Sequence, residues 1–272
     1  MNARLEEMRK MLDEKTKGIG QAFEGGHVRY PFLLLAKPLT KALLKSNEDV
    51  YIPGLKIDDF YCLQVKKGLG ERLTVIPVAF VQLYIEKDAA DEASFFGYWR
   101  AEDAYRFEYN KEKKAIMLPN GHVLKKTCWV VVYLPNKDLG EENPYGIISY
   151  KGAGCSTYYA WLKEVKEFSC LATATYEIAS KNLSNEKFTW TEIGYKYKKD
   201  LLEDSDNPKV LSMLEETMEM SIKLLDEIES GEFLPSKQSS DNLVQGDWSG
   251  DASKLLISSD VQSVEGEENI PF

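Results

Sequence analysis

Apolar residues recur along the chain with two different spacings, and the spacing predicts which segments form helices and which form strands. Near the start, apolar residues lie three and four positions apart, which predicts a short amphipathic helix over residues 1–17. Its apolar stripe consists of Leu5, Met8, Met11 and Leu12. Four glycines between positions 18 and 26 then interrupt the pattern, so residues 1–27 are predicted to be a helical and flexible N-terminal extension.

The strongest helical pattern lies further along the chain. Apolar residues spaced by three or four predict an amphipathic helix over 207–229, with Pro208 in its first turn and Gly231 ending it. We therefore assign residues 205–231 to an amphipathic helix. Beyond it, polar residues follow without a sustained period, so residues 232–272 are predicted to form a disordered acidic tail.

Between these helices the pattern is mainly that of β-strands. Short segments rich in β-branched and aromatic residues are bounded by Gly, Asp and Pro, as strands are. The predicted strands are 51–55, 60–65, 73–85, 95–99, 105–109, 147–151, 173–178 and 188–197. Pro77 predicts an edge position or a bulge in the third of them.

One hairpin and one helix complete the predicted elements. Residues 115–134 are the clearest hairpin, because Asn120-Gly121 is a favoured two-residue turn between apolar runs. Residues 156–168 predict a helix with Ser156 or Thr157 as its cap. Many short strands with one interrupting helix favour a closed or half-open barrel. We therefore predict a mainly β domain over 28–204, with an OB-fold as the best fit and a sandwich as the open alternative.

The charge of the chain is unevenly distributed. The net charge of the whole protein is −10. Residues 1–200 hold 30 Lys and Arg against 27 Asp and Glu, a net +3, whereas residues 201–272 hold 4 against 17, a net −13. A near-neutral body joined to an acidic end can approach phosphates while the end repels them.

The sequence carries few of the features that catalytic or metal sites need. The cysteines form no Cys-x-x-Cys pair, so we expect four buried reduced thiols, no metal and no cofactor. No phosphate-binding loop of the Gly-x4-Gly-Lys-Ser/Thr type is present, and His27 and His122 have no obvious nucleophile as partner. The acid pairs Asp58-Asp59 and Glu102-Asp103 are expected to be solvated. We therefore predict a protein that is not an enzyme.

The expected compartment is the cytoplasm, or the host cytoplasm for a viral protein. No run approaches the roughly 18 apolar residues that a membrane span needs. The first 17 residues mix acids and bases and lack the apolar core of a signal peptide.

The last six residues form a candidate docking motif. Pro271 holds the preceding residue in extended geometry, so Ile270 and Phe272 have little conformational freedom to lose on binding. Glu267 and Glu268 would complement a basic rim around an apolar pocket. A solvated acidic tail is otherwise a solubility feature, but these five residues predict a partner-binding site.

At these positions the chain resembles a known family. Glu267-Glu268-Asn269-Ile270-Pro271-Phe272 is similar to the tip of bacterial single-stranded DNA-binding proteins, in which acidic residues precede Ile-Pro-Phe. Asn269 stands where that family usually has another acid. The body, residues 28–200, resembles bacteriophage single-stranded DNA-binding proteins with an OB-fold and an acidic tail. That second resemblance lies in the layout of 51–55, 75–78, the Asn120-Gly121 hairpin and 149–163.

The resemblance implies sequence-independent binding and protection of single-stranded DNA in replication, recombination or repair. It also implies that the tip recruits a polymerase, helicase, nuclease or recombinase, and that the tethered acidic tail competes with DNA for the groove. Two other functions stay open. The protein could be a recombination mediator or strand-annealing protein, forming a homo-oligomer on DNA, or an adaptor that uses the tip and binds no DNA.

Single-strand binding needs aromatic faces for bases and cations for the backbone. Several aromatic residues of the predicted strands and helix lie beside Lys or Arg in the sequence. An aromatic residue in a strand is more often a core residue, and a lysine is more often simply solvated. The predicted DNA-binding residues are Trp99, Arg100, Tyr105, Phe107, Lys125, Trp129, Lys151 and Tyr158.

Overall fold

The computed structural model of the chain describes residues 3–17, 30–91, 94–136, 139, 143–184 and 189–233. The predicted joint at 18–26 and the tip at 267–272 lie outside these residues, as does the predicted tail from residue 234 onward. The helices of the described part are α1 (Ala3–Lys17), α2 (Ala101–Ala104), α3 (Cys155–Glu167) and α4 (Pro208–Ser230). Its strands are β1 (Leu34–Leu35), β2 (Phe60–Cys62), β3 (Lys67–Gly70), β4 (Arg72–Lys87), β5 (Gly97–Arg100), β6 (Tyr109–Asn110), β7 (Ala115–Met117), β8 (Val123–Tyr133), β9 (Tyr145–Lys151), β10 (Ala174–Ser184) and β11 (Thr189–Asp200).

Two long antiparallel strands, β4 and β8, form the centre of the main sheet. Their ladder runs from Ile76 opposite Tyr133 to Lys87 opposite Val123. Both are almost continuous apolar runs and are buried along most of their length, as expected for strands that are covered on both faces. The other edge of β4 pairs with β10 near the start of the strand and with β5 near its end. The other edge of β8 pairs with β7 near its start and with β9 along the rest. The outer strands β11 and β6 pair with β10 and β7.

A second sheet has three strands in the order β1-β2-β3. Just before β1, Phe32 forms a parallel bridge with Ile147 of β9, so the small sheet begins at an edge of the main one. At its other end only Glu71 separates β3 from β4. The predicted mainly β, OB-fold-like architecture is therefore confirmed as a curled half-barrel with few helices.

The predicted irregularity at Pro77 is a β-bulge, and the elements around it use the carbonyl groups that it frees. The register of β4 against β8 shifts between Pro77 and Ala79. The Val78 carbonyl oxygen accepts a hydrogen bond from the Ser221 hydroxyl of α4, and the Pro77 carbonyl accepts one from Ala172 N at 2.9 Å. Because a bulge disrupts the ladder locally, these bonds satisfy carbonyls that would otherwise be buried without a donor.

Helix α1 belongs to the same core as the sheet. Leu5, Met8 and Leu12 are buried, as the stripe predicts, whereas Met11 is 38% exposed. The helix packs on α4 and α3, and its basic side chains form ion pairs with the acids of α4. These pairs are Arg4–Glu219, Arg4–Glu215 and Lys15–Asp226.

Helix α4 begins and ends with the signals that the sequence carries. The Asn207 side chain accepts a hydrogen bond from Lys209 N, and Pro208 occupies the first turn. Gly231 ends the helix with φ of 84°, a conformation that favours glycine. The chain then returns to the core, where Phe233 is 4% exposed.

Several local predictions differ from the structure. Residues 51–55 form a turn instead of a strand, because Pro53 and Gly54, with φ of 80° at the glycine, bend the chain there. The predicted hairpin is confirmed, but its last pair joins Met117 to Val123, so the loop has five residues instead of two. Helix α3 has no side-chain cap, and the Ser156 hydroxyl donates to the Ala153 carbonyl instead.

Candidate nucleic-acid interface

The two faces of the central sheet are covered by different helices. The face that carries Phe80 and Gln82 contacts α3, and we name it the α3 face. The face that carries Trp129 and Tyr133 contacts α4, where the Tyr133 hydroxyl donates to Glu216 Oε2 at 3.4 Å, and we name it the α4 face. Because side chains alternate along a strand, neighbouring residues of β4 or β8 belong to opposite faces.

On the α3 face, two tyrosines meet over one buried glutamine. Gln82 is 5% exposed; its Nε2 donates to the Tyr105 hydroxyl oxygen at 3.0 Å, and its Oε1 accepts a hydrogen bond from the Tyr159 hydroxyl. Lys126 Nζ lies 5.1 Å from the centre of the Tyr159 ring and donates to its hydroxyl oxygen at 3.2 Å. We name these four residues the tyrosine seam. Tyr105 is 63% exposed and Tyr159 is 37% exposed, so the seam presents two aromatic rings and a cation to solvent.

The helical period of α3 decides which of its residues reach the seam. The buried side of the helix carries Cys155, Tyr158, Trp161, Leu162 and Val165. Tyr159, Lys163 and Lys166, spaced by four and three, lie on the other side and border an open depression of about 630 Å³. Partial burial lowers the pKa of Lys166. Glu167 borders the same depression, so its charged lining is two lysines against one glutamate.

The Tyr159 hydroxyl is neutral at neutral pH, as an ordinary tyrosine is, and its surroundings favour this form further. Burial raises the pKa of Tyr159 above the usual tyrosine value, and the neighbouring Cys128 thiol raises it further. The hydroxyl group is therefore protonated at neutral pH and can donate to Gln82, as the geometry requires. The Tyr159 hydroxyl oxygen also accepts a hydrogen bond from Lys126 Nζ, so this one group both donates and accepts.

The structure does not bring the eight predicted DNA-binding residues together. Trp129 and Tyr158 are core residues, 1% and 0% exposed. The Trp129 ring is enclosed by Phe32 and Tyr98, whose ring centres lie 5.3 and 5.0 Å away. Neither Trp129 nor Tyr158 offers a free ring face to a base, so we leave both out of the candidate interface.

Three of the predicted cationic residues alternate onto the α4 face. Arg100 pairs with Leu83 in β4, and its guanidinium lies at the C-terminal end of α4, close to the Gly231 backbone. Lys125 precedes the seam lysine by one residue, so strand alternation turns it to the opposite face. Lys151 lies opposite Thr127 in the β8–β9 ladder and shares that face.

The remaining three predicted residues lie on the α3 face. Trp99 and Phe107 are partly buried and pack edge to face, with ring centres 5.9 Å apart. Tyr105 follows α2 directly and has helical backbone angles, so the predicted strand at 105–109 is reduced to β6. Of the eight predicted residues, Tyr105 is the exposed aromatic that takes part in the seam.

The acidic charge of the last quarter of the chain divides between a folded helix and the tail. Residues 201–233 hold 2 Lys and Arg against 10 Asp and Glu, a net −8, and residues 234–272 hold 2 against 7, a net −5. More than half of the predicted acidic end is therefore the segment that contains α4. Because α4 covers the face opposite the seam, the most acidic folded element lies across the sheet from the candidate interface.

The acids, histidines and cysteines of the described residues do not cluster. Among them, no group of three or more His, Cys, Asp or Glu side chains could hold a metal ion, and no helix is long and apolar enough to cross a membrane. All four cysteines are buried and form no disulfide, which confirms the prediction of buried thiols.

Comparison with known proteins gives no relative for this chain. No protein-family model, no curated protein and no solved structure matches it. A function for the protein therefore has to be derived from the tyrosine seam, the distribution of charge and the resemblance of the tip.

Proposed function

We propose that this protein binds single-stranded DNA without sequence preference on the α3 face of its half-barrel, and protects it in replication, recombination or repair. The observation that carries the proposal is the tyrosine seam, in which two solvent-facing rings and a lysine surround one buried glutamine. Every base has a π face that stacks on such rings, and lysines beside them neutralise phosphates.

The hydrogen bonds of Gln82 support this proposal because they fix the tyrosines before any ligand arrives. An exposed aromatic side chain usually loses rotamer freedom when it stacks on a ligand, which costs about 0.5–1.5 kcal/mol. Tyr105 and Tyr159 are each held by a hydrogen bond to Gln82, so part of that cost is removed. A duplex hides its base faces, and therefore this arrangement favours single strands.

The charge distribution supports the choice of face. Lys126, Lys163 and Lys166 lie on or beside the seam, whereas the segment that contains α4 carries a net −8 across the sheet. A DNA backbone is attracted to the first surface and repelled by the second. The α3 face is thus the favourable one for a polyanion.

In the same proposal, the tail and its tip act on other proteins and on the seam. Glu267, Glu268, Ile270, Pro271 and Phe272 dock on replication or recombination proteins, as the resemblance of the tip implies. The tail, residues 234–272 with a net −5, is a tethered anion that competes with DNA for the seam lysines.

Fluorescent oligo(dT) and a duplex of equal length, titrated with the full chain across a salt series, test the central proposal. We expect single strands to bind more tightly than the duplex, with log affinity falling against log salt by about 0.7 per phosphate contact. Tyr159→Ala should weaken binding by about 1–3 kcal/mol, whereas its neighbour Tyr158→Phe, a buried control, should bind as the wild type does. No binding of single strands at low salt, or full affinity in Tyr159→Ala, would contradict the proposal.

A truncated chain tests the role of the tail separately. The chain should end after Phe233 and not at Gly231, because Phe233 is buried and its N–H donates to the Glu227 carbonyl at 3.0 Å. Removal of 234–272 should tighten binding of oligo(dT), most strongly at low salt. Unchanged affinity would exclude competition by the tail and leave the single-strand surface in place.

A further inference from the structure

Phe96 is an exposed aromatic ring that the structure nevertheless holds in place. The residue is 51% exposed, and its ring stacks on the His122 imidazole with ring centres 4.2 Å apart and planes inclined by 15°. Its backbone N–H donates to the Glu86 carbonyl at 3.0 Å. One face of the phenyl ring is therefore covered by the imidazole, and the ring is presented to solvent from the other side.

A buried carboxylate fixes the imidazole beneath Phe96. Glu86, 7% exposed, accepts hydrogen bonds from His122 Nδ1 at 2.8 Å, from Asn120 Nδ2 at 3.3 Å and from Trp99 Nε1 at 2.6 Å. Because a carboxylate can only accept, Nδ1 carries the hydrogen in this contact. Burial of a carboxylate is unfavourable unless donors surround it, and here the donors also set the plane of the ring on which Phe96 rests.

The Phe96–His122 stack lies along the same strand as the tyrosine seam. Glu86, which anchors the stack, and Gln82, which anchors the seam, are four residues apart in β4 and therefore on the same face. At about 3.3 Å per residue, the two anchors are separated by about 13 Å. The stack and the seam thus form two separate aromatic positions along β4, with the buried Tyr84 between their anchors.

We infer that Phe96, backed by His122, is a second base-stacking platform for the same DNA strand. The inference rests on the proposed function, since it extends the strand from the seam along β4. A nucleobase is the occupant that fits, because the exposed surface is a flat ring fixed in advance and lies along the same strand as a surface suited to single strands. Phe96 offers no hydrogen-bonding group, so the platform accepts any base.

Oligonucleotides of two lengths test the inference with the full chain. A thymidine dinucleotide spans only about 3.4 Å between its stacked bases and covers one aromatic position. An oligo(dT) of about 16 nucleotides is long enough to cover both positions, which lie about 13 Å apart, and is within the range of site sizes for such folds. Phe96→Ala should lower the affinity for the long oligonucleotide by about 5- to 150-fold and leave the affinity for the short one unchanged. Tyr159→Ala should lower both. Leu39→Ala, which removes an 84% exposed apolar side chain elsewhere, should lower neither.

A tryptophan at the platform gives a direct signal. Phe96→Trp keeps an aromatic ring on His122, so it should retain the affinity of the wild type for the long oligonucleotide. The emission of that tryptophan, measured as the difference from the wild type, should be quenched by the long oligonucleotide and not by the short one when the two occupy the seam to the same extent. If Phe96→Trp retains the affinity for the long oligonucleotide and Phe96→Ala loses it, the loss is due to the missing aromatic ring, and so to stacking.

The outcomes separate the inference from the function on which it rests. If Tyr159→Ala weakens binding while Phe96→Ala has full affinity for both lengths, the inference of a platform is wrong and the proposal that the seam binds DNA is retained. If Phe96→Ala weakens both lengths equally, Phe96 acts on the seam and the inference of a separate platform is again overturned. If the wild type binds neither oligonucleotide at low salt, the proposed function and the platform fall together.

Discussion

Tyr158 and Tyr159 are neighbours in α3, yet one is enclosed in the core and the other faces solvent. Their ring centres are 5.1 Å apart, and their exposed fractions are 0% and 37%. Tyr158 packs on Phe80 in the sheet, while Tyr159 bonds to Gln82 and Lys126. One step along a helix rotates the side chain by about 100°. The comparison teaches that position on the helix, and not residue type, separates a core aromatic from a candidate stacking residue.

Replacement of the enclosed tyrosine should have the largest effect on stability. Tyr158→Ala leaves a cavity between α3 and the sheet, so we expect the free energy of unfolding to fall by about 3–5 kcal/mol. Urea unfolding followed by circular dichroism measures this change. The folded fraction should still bind oligo(dT) as the wild type does. A stable Tyr158→Ala that had lost DNA binding would reverse the roles of the two tyrosines.

Replacement of the exposed tyrosine that follows α2 should affect both binding and stability. Tyr105→Ala removes a ring that is 63% exposed, but it also leaves the buried Gln82 Nε2 without its acceptor, so the free energy of unfolding should fall by about 1–3 kcal/mol. Affinity for oligo(dT) should fall by about 1–3 kcal/mol, because one stacking ring is lost. Fluorescence anisotropy at fixed salt measures the loss. Tyr109→Ala, 56% exposed and outside the seam, is the matched control and should bind normally.

The elements that the sequence predicts well are those with a local signal. Helix α4 has an apolar period, a proline in its first turn and a glycine at its end, all within one segment. The helical period also carries the signal for Tyr158, since its spacing to Trp161, Leu162 and Val165 places it on the buried stripe of α3. That pattern indicates Tyr159, Lys163 and Lys166 as the outward residues, although the sequence prediction chose Tyr158.

Burial in the sheet is harder to predict, because alternation shows which residues share a face and not what covers that face. The signal for Trp129 was the uninterrupted apolar run of residues 128–134, which is typical of a strand covered on both sides. The seam has no local signal. Gln82 is 23 residues from Tyr105 and 77 from Tyr159 in the chain, so only the fold brings the three together.

The glutamine between the two tyrosines gives a smaller and more specific test. Gln82→Met keeps the volume of the side chain and removes both of its hydrogen bonds, so the rings of Tyr105 and Tyr159 lose their common anchor. Affinity for oligo(dT) should fall by about 0.5–1.5 kcal/mol, the cost of fixing a side chain on binding. Calorimetric titration should show this loss as a less favourable entropy. Undiminished affinity would mean that the anchor is not needed to orient the rings.

The smallest effect is expected where Tyr158 keeps its ring and loses only its hydroxyl. Among the described residues the Tyr158 hydroxyl oxygen is buried and has no hydrogen-bond partner, whereas that of Tyr159 contacts both Gln82 and Lys126. A buried polar group without a partner is unfavourable, so Tyr158→Phe should leave the urea midpoint unchanged or raise it slightly. Tyr159→Phe, the matched change one residue along, removes two hydrogen bonds and should weaken DNA binding. If both phenylalanine variants behaved alike in stability and in affinity, the hydroxyl groups would not distinguish the two positions, and the difference between them would lie in ring exposure alone.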